Sequence, residues 1–154
     1  MTGCHENAAR VVVNPHNVQM PETLYRQLRH DGKMQLHFVP SDAQNARIKA
    51  EQWGDFLNRI FAIWVREDIG QLSVQIFDDT LEGWCGARVC QGNGSLKCQT
   101  CPGRRLCTSA NDSELCDGYL AFYENSAPFM KVMRDLTRNS RPASELMALL
   151  RQQG

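Results

Sequence analysis

One long amphipathic segment decides the fold of this chain, and it spans residues 48–69. Its sequence is IKAEQWGDFLNRIFAIWVREDI, and Gly70 follows it. Large apolar side chains recur in it with the helical period, which predicts a helix with one buried face. These side chains are Trp53, Phe56, Leu57, Ile60, Phe61, Trp64 and Val65. Because Gly is typical of the residue that ends a helix, we expect the helix to stop before Gly70 and its aromatic face to form core rather than a cofactor pocket.

Shorter strand and helix patterns surround this segment. β-branched and apolar residues predict strands at Ala9–Asn14, Gln35–Val39 and Leu72–Phe77. A helix is predicted between Pro21 and the stop signal Asp31-Gly32, and a short one at 78–84, opened by one of its first two aspartates. The alternation of strands and helices predicts the α/β class with parallel βαβ units.

The composition of the chain changes at Gly83. Residues 84–116 are rich in Cys and Gly and poor in large apolar side chains, so this stretch needs a cross-link or a metal to hold its shape. Apolar residues with helical spacing then return. They predict helices at Gly118–Glu124, Pro128–Asn139 and Ala143–Leu150. The sequence therefore predicts two regions, 1–83 and 84–154.

Charge and cysteine content exclude several classes of protein. In these 154 residues, 17 Lys and Arg balance 17 Asp and Glu, which removes the global electrostatic argument for nucleic acid or a membrane surface. No apolar run approaches a membrane span, and no signal peptide is visible, so we expect a cytoplasmic protein. Six of the seven cysteines lie between Cys85 and Cys116. An odd number in a reducing compartment indicates metal or redox chemistry rather than disulfides.

Four cysteines form a candidate metal site with the spacing C-x2-C-x5-C-x8-C. They are Cys98, Cys101, Cys107 and Cys116. Four thiolates suit tetrahedral zinc and an iron–sulfur cluster equally well. The alternatives are reduced thiols without a ligand and a thioredoxin-like dithiol, which is disfavoured because Cys98 follows a Gly-rich loop and not a strand. We interpret Cys85 and Cys90 as free thiols, leave Cys4 unassigned, and find no ligand spacing among the histidines.

Several stretches resemble the anaerobic sulfatase-maturating enzymes, which are radical S-adenosylmethionine proteins with a cysteine-rich SPASM extension. The stretches are PETLYRQL at 21–28, QLHFVP at 35–40, WGDFL at 53–57, IFAIWVREDIG at 60–70, KCQTC at 97–101, LCDGYLAFY at 115–123 and PFMKVM at 128–133. The resemblance implies that residues 1–83 are a partial parallel βαβ barrel fragment. It implies that residues 84–154 are a Cys-rich metal-binding loop of SPASM type followed by C-terminal helices.

The resemblance also assigns the cysteines. Cys98, Cys101, Cys107 and Cys116 match the family's second auxiliary cluster, so a 4Fe–4S cluster is expected there, with zinc as the alternative. The first auxiliary site would use Cys85 and Cys90 plus two further cysteines. Asn111 stands where one of those is expected, so we interpret the first site as broken.

The family's defining CxxxCxxC sequence occurs nowhere in these residues. The resemblance therefore implies a truncated relative with an internal deletion near 83–95. We expect neither S-adenosylmethionine binding nor independent oxidation of a sulfatase Cys or Ser to formylglycine. The expected role is accessory or regulatory to sulfatase maturation, with a sulfatase or a full-length maturase as partner, or else that of a degenerate remnant.

Two further readings belong to other classes. Basic residues at helical spacing (Lys131, Arg134, Arg138 and Arg141) favour a small metal-binding transcriptional regulator that contacts DNA or a protein partner. The zero net charge favours instead a solvated helix face with no nucleic acid. An incomplete barrel also leaves open strand edges, which predicts a homo-oligomer or another partner.

Overall fold

The computed structural model describes residues 7–41, 43–86 and 115–153. These residues form an α/β fold with three strands and five α-helices. The strands are β1 (Ala8–Val13), β2 (Gln35–Pro40) and β3 (Ser73–Val74). The helices are α1 (Pro21–His30), α2 (Ala50–Glu67), α3 (Gln75–Trp84), α4 (Cys116–Arg138) and α5 (Glu145–Gln153), and a short 3-10 helix covers Asn17–Gln19. No helix in these ranges is long and apolar enough to cross a membrane.

The strands pair in parallel in the order β1-β2-β3, with α1 and α2 as the crossovers. The expected parallel βαβ units are therefore confirmed. Leu36 and Phe38 of β2 point into the core, where the Phe38 ring meets Phe56 of α2 edge-on at 5.3 Å. Arg10 and His37 occupy the other face of the sheet and are exposed.

The predicted aromatic face of α2 forms the centre of the core. All seven of its predicted side chains are buried, and Gly70 after it has a φ of +82°. The Phe61 ring meets the rings of Phe77, Phe122 and Phe129 at 5.2, 5.6 and 5.6 Å. Because these partners come from α3 and α4, helices on both sides of residue 83 share one core. The division of the chain at residue 83 stays a prediction.

The third predicted strand is wrong beyond Val74. Only Ser73 and Val74 are extended, and α3 begins at Gln75 instead of at either aspartate. Helical geometry places the Phe77 side chain against Phe61 and Phe122, and it lets the Ser73 hydroxyl donate a hydrogen bond to the Asp78 carboxylate. The alternating apolar residues at 72–77 also fit a helix, and tertiary packing selects it.

The C-terminal region holds one long helix where two were predicted. α4 runs continuously through Pro128. Phe122, Met130 and Met133 are completely buried on one face of it. Burial of this face outweighs the backbone hydrogen bond that Pro removes. The predicted last helix begins two residues late, at Glu145.

A buried polar cluster ties α1 to the end of α2. The Tyr25 hydroxyl donates to Oδ2 of Asp68 at 2.5 Å, and Nη1 of Arg29 donates to the same oxygen at 2.9 Å. Arg29 also pairs with Glu67 at 3.3 Å. Tyr25 is completely buried, and burial together with the hydrogen bond to Asp68 raises the pKa of its phenol well above the ordinary value of 10.0.

We expect Tyr25→Phe to lower the free energy of unfolding at neutral pH by about 2 kcal/mol, because a buried carboxylate loses a donor. The folded protein holds the phenol proton more tightly than the unfolded chain does. This contribution is therefore fully present below about pH 10 and is lost as the pH rises further. Denaturant unfolding at stepped pH should show the wild-type curve approaching that of Tyr25→Phe at alkaline pH. Arg66→Gln, at an exposed position of α2, is the control, and a constant gap between the wild-type and Tyr25→Phe curves would contradict the assignment.

Candidate metal centre

Only one of the four predicted ligands lies in the part of the chain that the structure describes. Cys116 is the first residue of α4, and its side chain is half-buried. Cys98, Cys101 and Cys107 lie outside the described residues, as do Cys4 and Cys90. Cys85 directly follows α3 and is also half-buried. Within 7–41, 43–86 and 115–153, no three His, Cys, Asp or Glu side chains are arranged to hold a metal ion.

Cys116 lies in a regular first turn of α4. The backbone N–H groups of Gly118 and Tyr119 both bond to the carbonyl oxygen of Leu115, at 2.9 and 3.1 Å, which closes the first turn. The sulfur of a cysteine is a soft donor of the kind that zinc and iron–sulfur clusters use. The donor type of Cys116 therefore fits a soft metal, and Asp117 adds an acidic group to the same turn.

Two glycines hold the start of α4 directly against α2. A Cβ atom built on Gly118 would lie 2.4 Å from the carbonyl oxygen of Ala50 and 3.1 Å from the amide nitrogen of Gly54. A Cβ atom on Gly54 would lie 3.0 Å from the carbonyl oxygen of Gly118. The two helices thus meet backbone to backbone two residues after Cys116. This contact fixes the position of that cysteine relative to the core.

Trp84 connects the end of α3 to the second half of α4. Nζ of Lys131 and Cζ of Arg134 each lie 5.7 Å from the centroid of its ring, a cation–π arrangement. Lys131 follows Cys116 by about four helical turns, which corresponds to about 22 Å along α4. Cys85 follows Trp84, whereas Cys116 lies at the other end of α4 from the residues that Trp84 contacts. This separation supports the assignment of the two cysteines to different environments.

The four basic residues predicted to share one helical face do not form one. α4 ends at Arg138, Ser140 has a φ of +59°, and Arg141 lies beyond this turn, where it pairs with Glu145 at 2.7 Å. The side chains of Lys131 and Arg134 pack against the ring of Trp84. Contact with nucleic acid or another partner stays a prediction.

Sequence patterns did not reveal the glycine contact or the Trp84 contact. For the glycine contact, the available signal was a glycine inside each of two helical patterns. Such glycines lower helix propensity and often mark close packing. No sequence pattern indicated the Trp84 contact, because residues 85–130 separate Trp84 from Lys131 and Arg134.

Comparison with known proteins gives one match over nearly the full chain and two partial ones. The chain is 39% identical over 157 aligned residues to the Uncharacterized protein YidF of Escherichia coli (strain K12), covering 95% of this chain and 94% of that protein. It is 35% identical over 78 residues to the Serine-type anaerobic sulfatase-maturating enzyme of Bacteroides thetaiotaomicron, covering 48% of this chain and 19% of the enzyme. No family model matches the chain.

A solved structure of native anSMEcpe with bound AdoMet has the same fold. The TM-score is 0.65 at 16% sequence identity, and the match covers 82% of this chain and 56% of that one. At this identity the likeness is one of fold. The mixed α/β architecture with a three-stranded parallel sheet therefore resembles part of the anSMEcpe chain, and the sequence relationship to a sulfatase-maturating enzyme is established for about half of the chain.

We expect Gly118→Ala to lower the free energy of unfolding by about 2 kcal/mol or more, because its Cβ would overlap the Ala50 carbonyl and force α4 away from α2. Asn125→Ala, at an exposed position of the same helix, is the control and should stay within about 0.5 kcal/mol. Chemical denaturation monitored by tryptophan fluorescence measures both. Equal stabilities of the two variants would contradict the backbone-to-backbone contact.

Proposed function

The chain belongs to the family of the Escherichia coli protein YidF, and from this membership and the partial relationship to a sulfatase-maturating enzyme we propose a function. It is a small metal-binding protein that uses the maturase fold without the maturase reaction. Cys98, Cys101, Cys107 and Cys116 hold one 4Fe–4S cluster, with a zinc ion as the alternative. The protein acts in the cytoplasm, accessory to sulfatase maturation, beside a sulfatase or a full-length maturase.

The observation that carries the metal site is the position of Cys116. It begins the long helix α4, and the Gly54–Gly118 contact holds it to the core. The other three cysteines precede it within 18 residues of sequence, at a spacing that suits four thiolates around one centre. A metal bound by these four residues would fasten the cysteine-rich segment to α4, because structural metal binding contributes folding free energy.

The missing CxxxCxxC sequence supports the loss of the maturase reaction. Radical cleavage of S-adenosylmethionine needs a cluster with an iron site open to the cofactor, and these 154 residues carry no cysteine triplet of that spacing. Four thiolate ligands would leave no such open position on a cluster held by Cys98, Cys101, Cys107 and Cys116. An accessory role then requires only that the protein keeps a shape that a maturase or its substrate recognises.

Metal content tests the site directly. After anaerobic purification we expect a brown protein with iron and sulfide in near-equal amounts, or a colourless protein with zinc. Cys116→Ala should lose most of this metal, because three thiolates remain. Cys85→Ala is the matched control and should keep it, because Cys85 follows Trp84, which contacts Lys131 about 22 Å along α4 from Cys116. Wild-type protein with neither metal, or equal metal in both variants, would refute the site.

Activity tests the role. Incubated with dithionite and S-adenosylmethionine, the chain alone should form no 5′-deoxyadenosine. Added to a full-length anaerobic maturase, it should change the yield of formylglycine on a sulfatase-derived peptide, measured by mass spectrometry, and Cys116→Ala should abolish the change. Deoxyadenosine made by the chain alone would contradict the loss of the reaction. An unchanged yield would contradict the accessory role but not the metal site.

A further inference from the structure

Strand β1 forms one edge of the described sheet, and its outer side is open. The carbonyl oxygen of Val13 accepts a hydrogen bond from the Ser41 amide at 2.8 Å, on the side of β2. Backbone groups alternate in direction along a strand, so Ala8, Arg10 and Val12 direct their N–H and C=O groups to the outer side. Among the described residues, none bonds to the outward groups of Ala8 or Arg10.

Asn17 closes the carboxyl end of this edge. Its Nδ2 donates to the carbonyl oxygen of Val12 at 3.0 Å, so this acceptor is already used. The opposite edge of the sheet is too short to pair with a strand, because only Ser73 and Val74 of β3 are extended. An edge with unpaired N–H and C=O groups is a template for another strand. The template that the described sheet offers is therefore residues 8–11.

The side chains of β1 favour the addition of a strand. Ala9 and Val11 pack against the core but are only half-buried, whereas Val13 beyond them is completely buried. On the other face, 47% of the Val12 surface is exposed. β1 contains no proline, and its one charged side chain, Arg10, is exposed on the face away from the core, so it lacks the inward charge that protects many edges. An added strand would complete the burial of Ala9 and Val11.

We propose that the strand added at this edge is β1 of a second copy of the chain, paired antiparallel across a two-fold axis. A two-fold interface uses the same surface on both copies, so each β1 is both template and added strand. The second copy supplies what the edge requires, which is outward N–H and C=O groups at matching spacing and small apolar side chains on the core face.

Charge and the Asn17 contact select the register of this pair. Three symmetric registers keep Arg10 opposite an outward residue of the other β1. Arg10 opposite Arg10 of the second copy brings like charges together, which is destabilising. Arg10 opposite Val12 requires the carbonyl oxygen that Asn17 already holds. Arg10 opposite Ala8 uses only open groups, and it places Ala9 at the axis, where opposite Cα atoms approach to about 4.5 Å and small side chains fit.

In this register, each Ala8 exchanges both of its backbone hydrogen bonds with Arg10 of the other copy. One strand pair buries less surface than a standard interface, so the dimer is weak and depends on concentration. The homo-oligomer predicted from the sequence would then form through β1. The pair includes no cysteine, so it goes beyond the proposed function and does not depend on it.

Sedimentation velocity on the full chain, in reducing buffer and from about 10 µM to about 0.5 mM, tests the dimer. The wild type should change from monomer towards dimer across this range. Ala8→Pro should weaken the dimer at least about tenfold, because proline removes the outward N–H of both copies and leaves the bonds to β2 in place. Val12→Pro is the matched control. It removes an outward N–H of the same edge that the register does not use, and it should dimerise as the wild type does.

Nuclear magnetic resonance of the wild type tests the register without a substitution. As the protein concentration rises, the amide signals of Ala8 and Arg10 should shift and their hydrogen exchange should slow, while the Val12 amide stays unchanged. Far-UV circular dichroism checks that each variant is folded, and if Ala8→Pro does not fold, these amide signals decide.

Three results would overturn the proposal. The first is a monomer at every concentration, which would leave the edge to another partner or to none. The second is a dimer that Ala8→Pro does not weaken, which would place the contact on another surface. The third is a dimer that Val12→Pro weakens as much as Ala8→Pro does, which would contradict the register.

Discussion

The close approach of α2 and α4 at Gly54 and Gly118 is the constraint on which the rest of the structure depends. A Cβ atom at position 118 would lie 2.4 Å from the carbonyl oxygen of Ala50, so the helices can meet here only where one backbone lacks a side chain. From this contact the two helices run together, and the rings of Phe61 and Phe122 meet at 5.6 Å farther along the pair. The contact therefore determines both the position of the aromatic core and the position of Cys116.

Much of the fold could be predicted from the sequence, because its strongest signal is also its largest buried surface. The α2 stripe repeats through five turns, and no strand pattern fits so long a segment. The residues at 72–77 were ambiguous because six residues satisfy both periods, and the contacts of Phe77 with Phe61 and Phe122 decide between them. Pro128 indicated a break between two helices, but the buried Met130 and Met133 that follow it keep α4 continuous.

The candidate site was predictable in part, for a different reason. Cysteine spacing is a local property of sequence, and so is the apolar period that predicted a helix from Gly118, two residues after the observed start of α4 at Cys116. What holds that helix start in place is not local. Gly54 and Gly118 are far apart in sequence, and neither pattern reveals which partner a helical glycine approaches. The same limit applies to Arg10 and His37. The register of β1 and β2 makes these two residues neighbours, and the placement of α1 and α2 leaves their face of the sheet exposed.

Cys85 and Cys116 each lie close in sequence to a contact that holds a helix in place, and these two contacts bear on how the metal site relates to the rest of the chain. Trp84 anchors the end of α3 beside Lys131 and Arg134, and the Gly54–Gly118 contact anchors Cys116 about four turns away along α4. Both anchors are made by residues outside 87–114, so neither contact includes Cys98, Cys101 or Cys107. A metal at Cys116 would then act on a framework that the core already holds, and its loss should release the cysteine-rich segment while leaving α2 and α4 packed. The protein would differ in this from small zinc domains, whose whole fold depends on the ion.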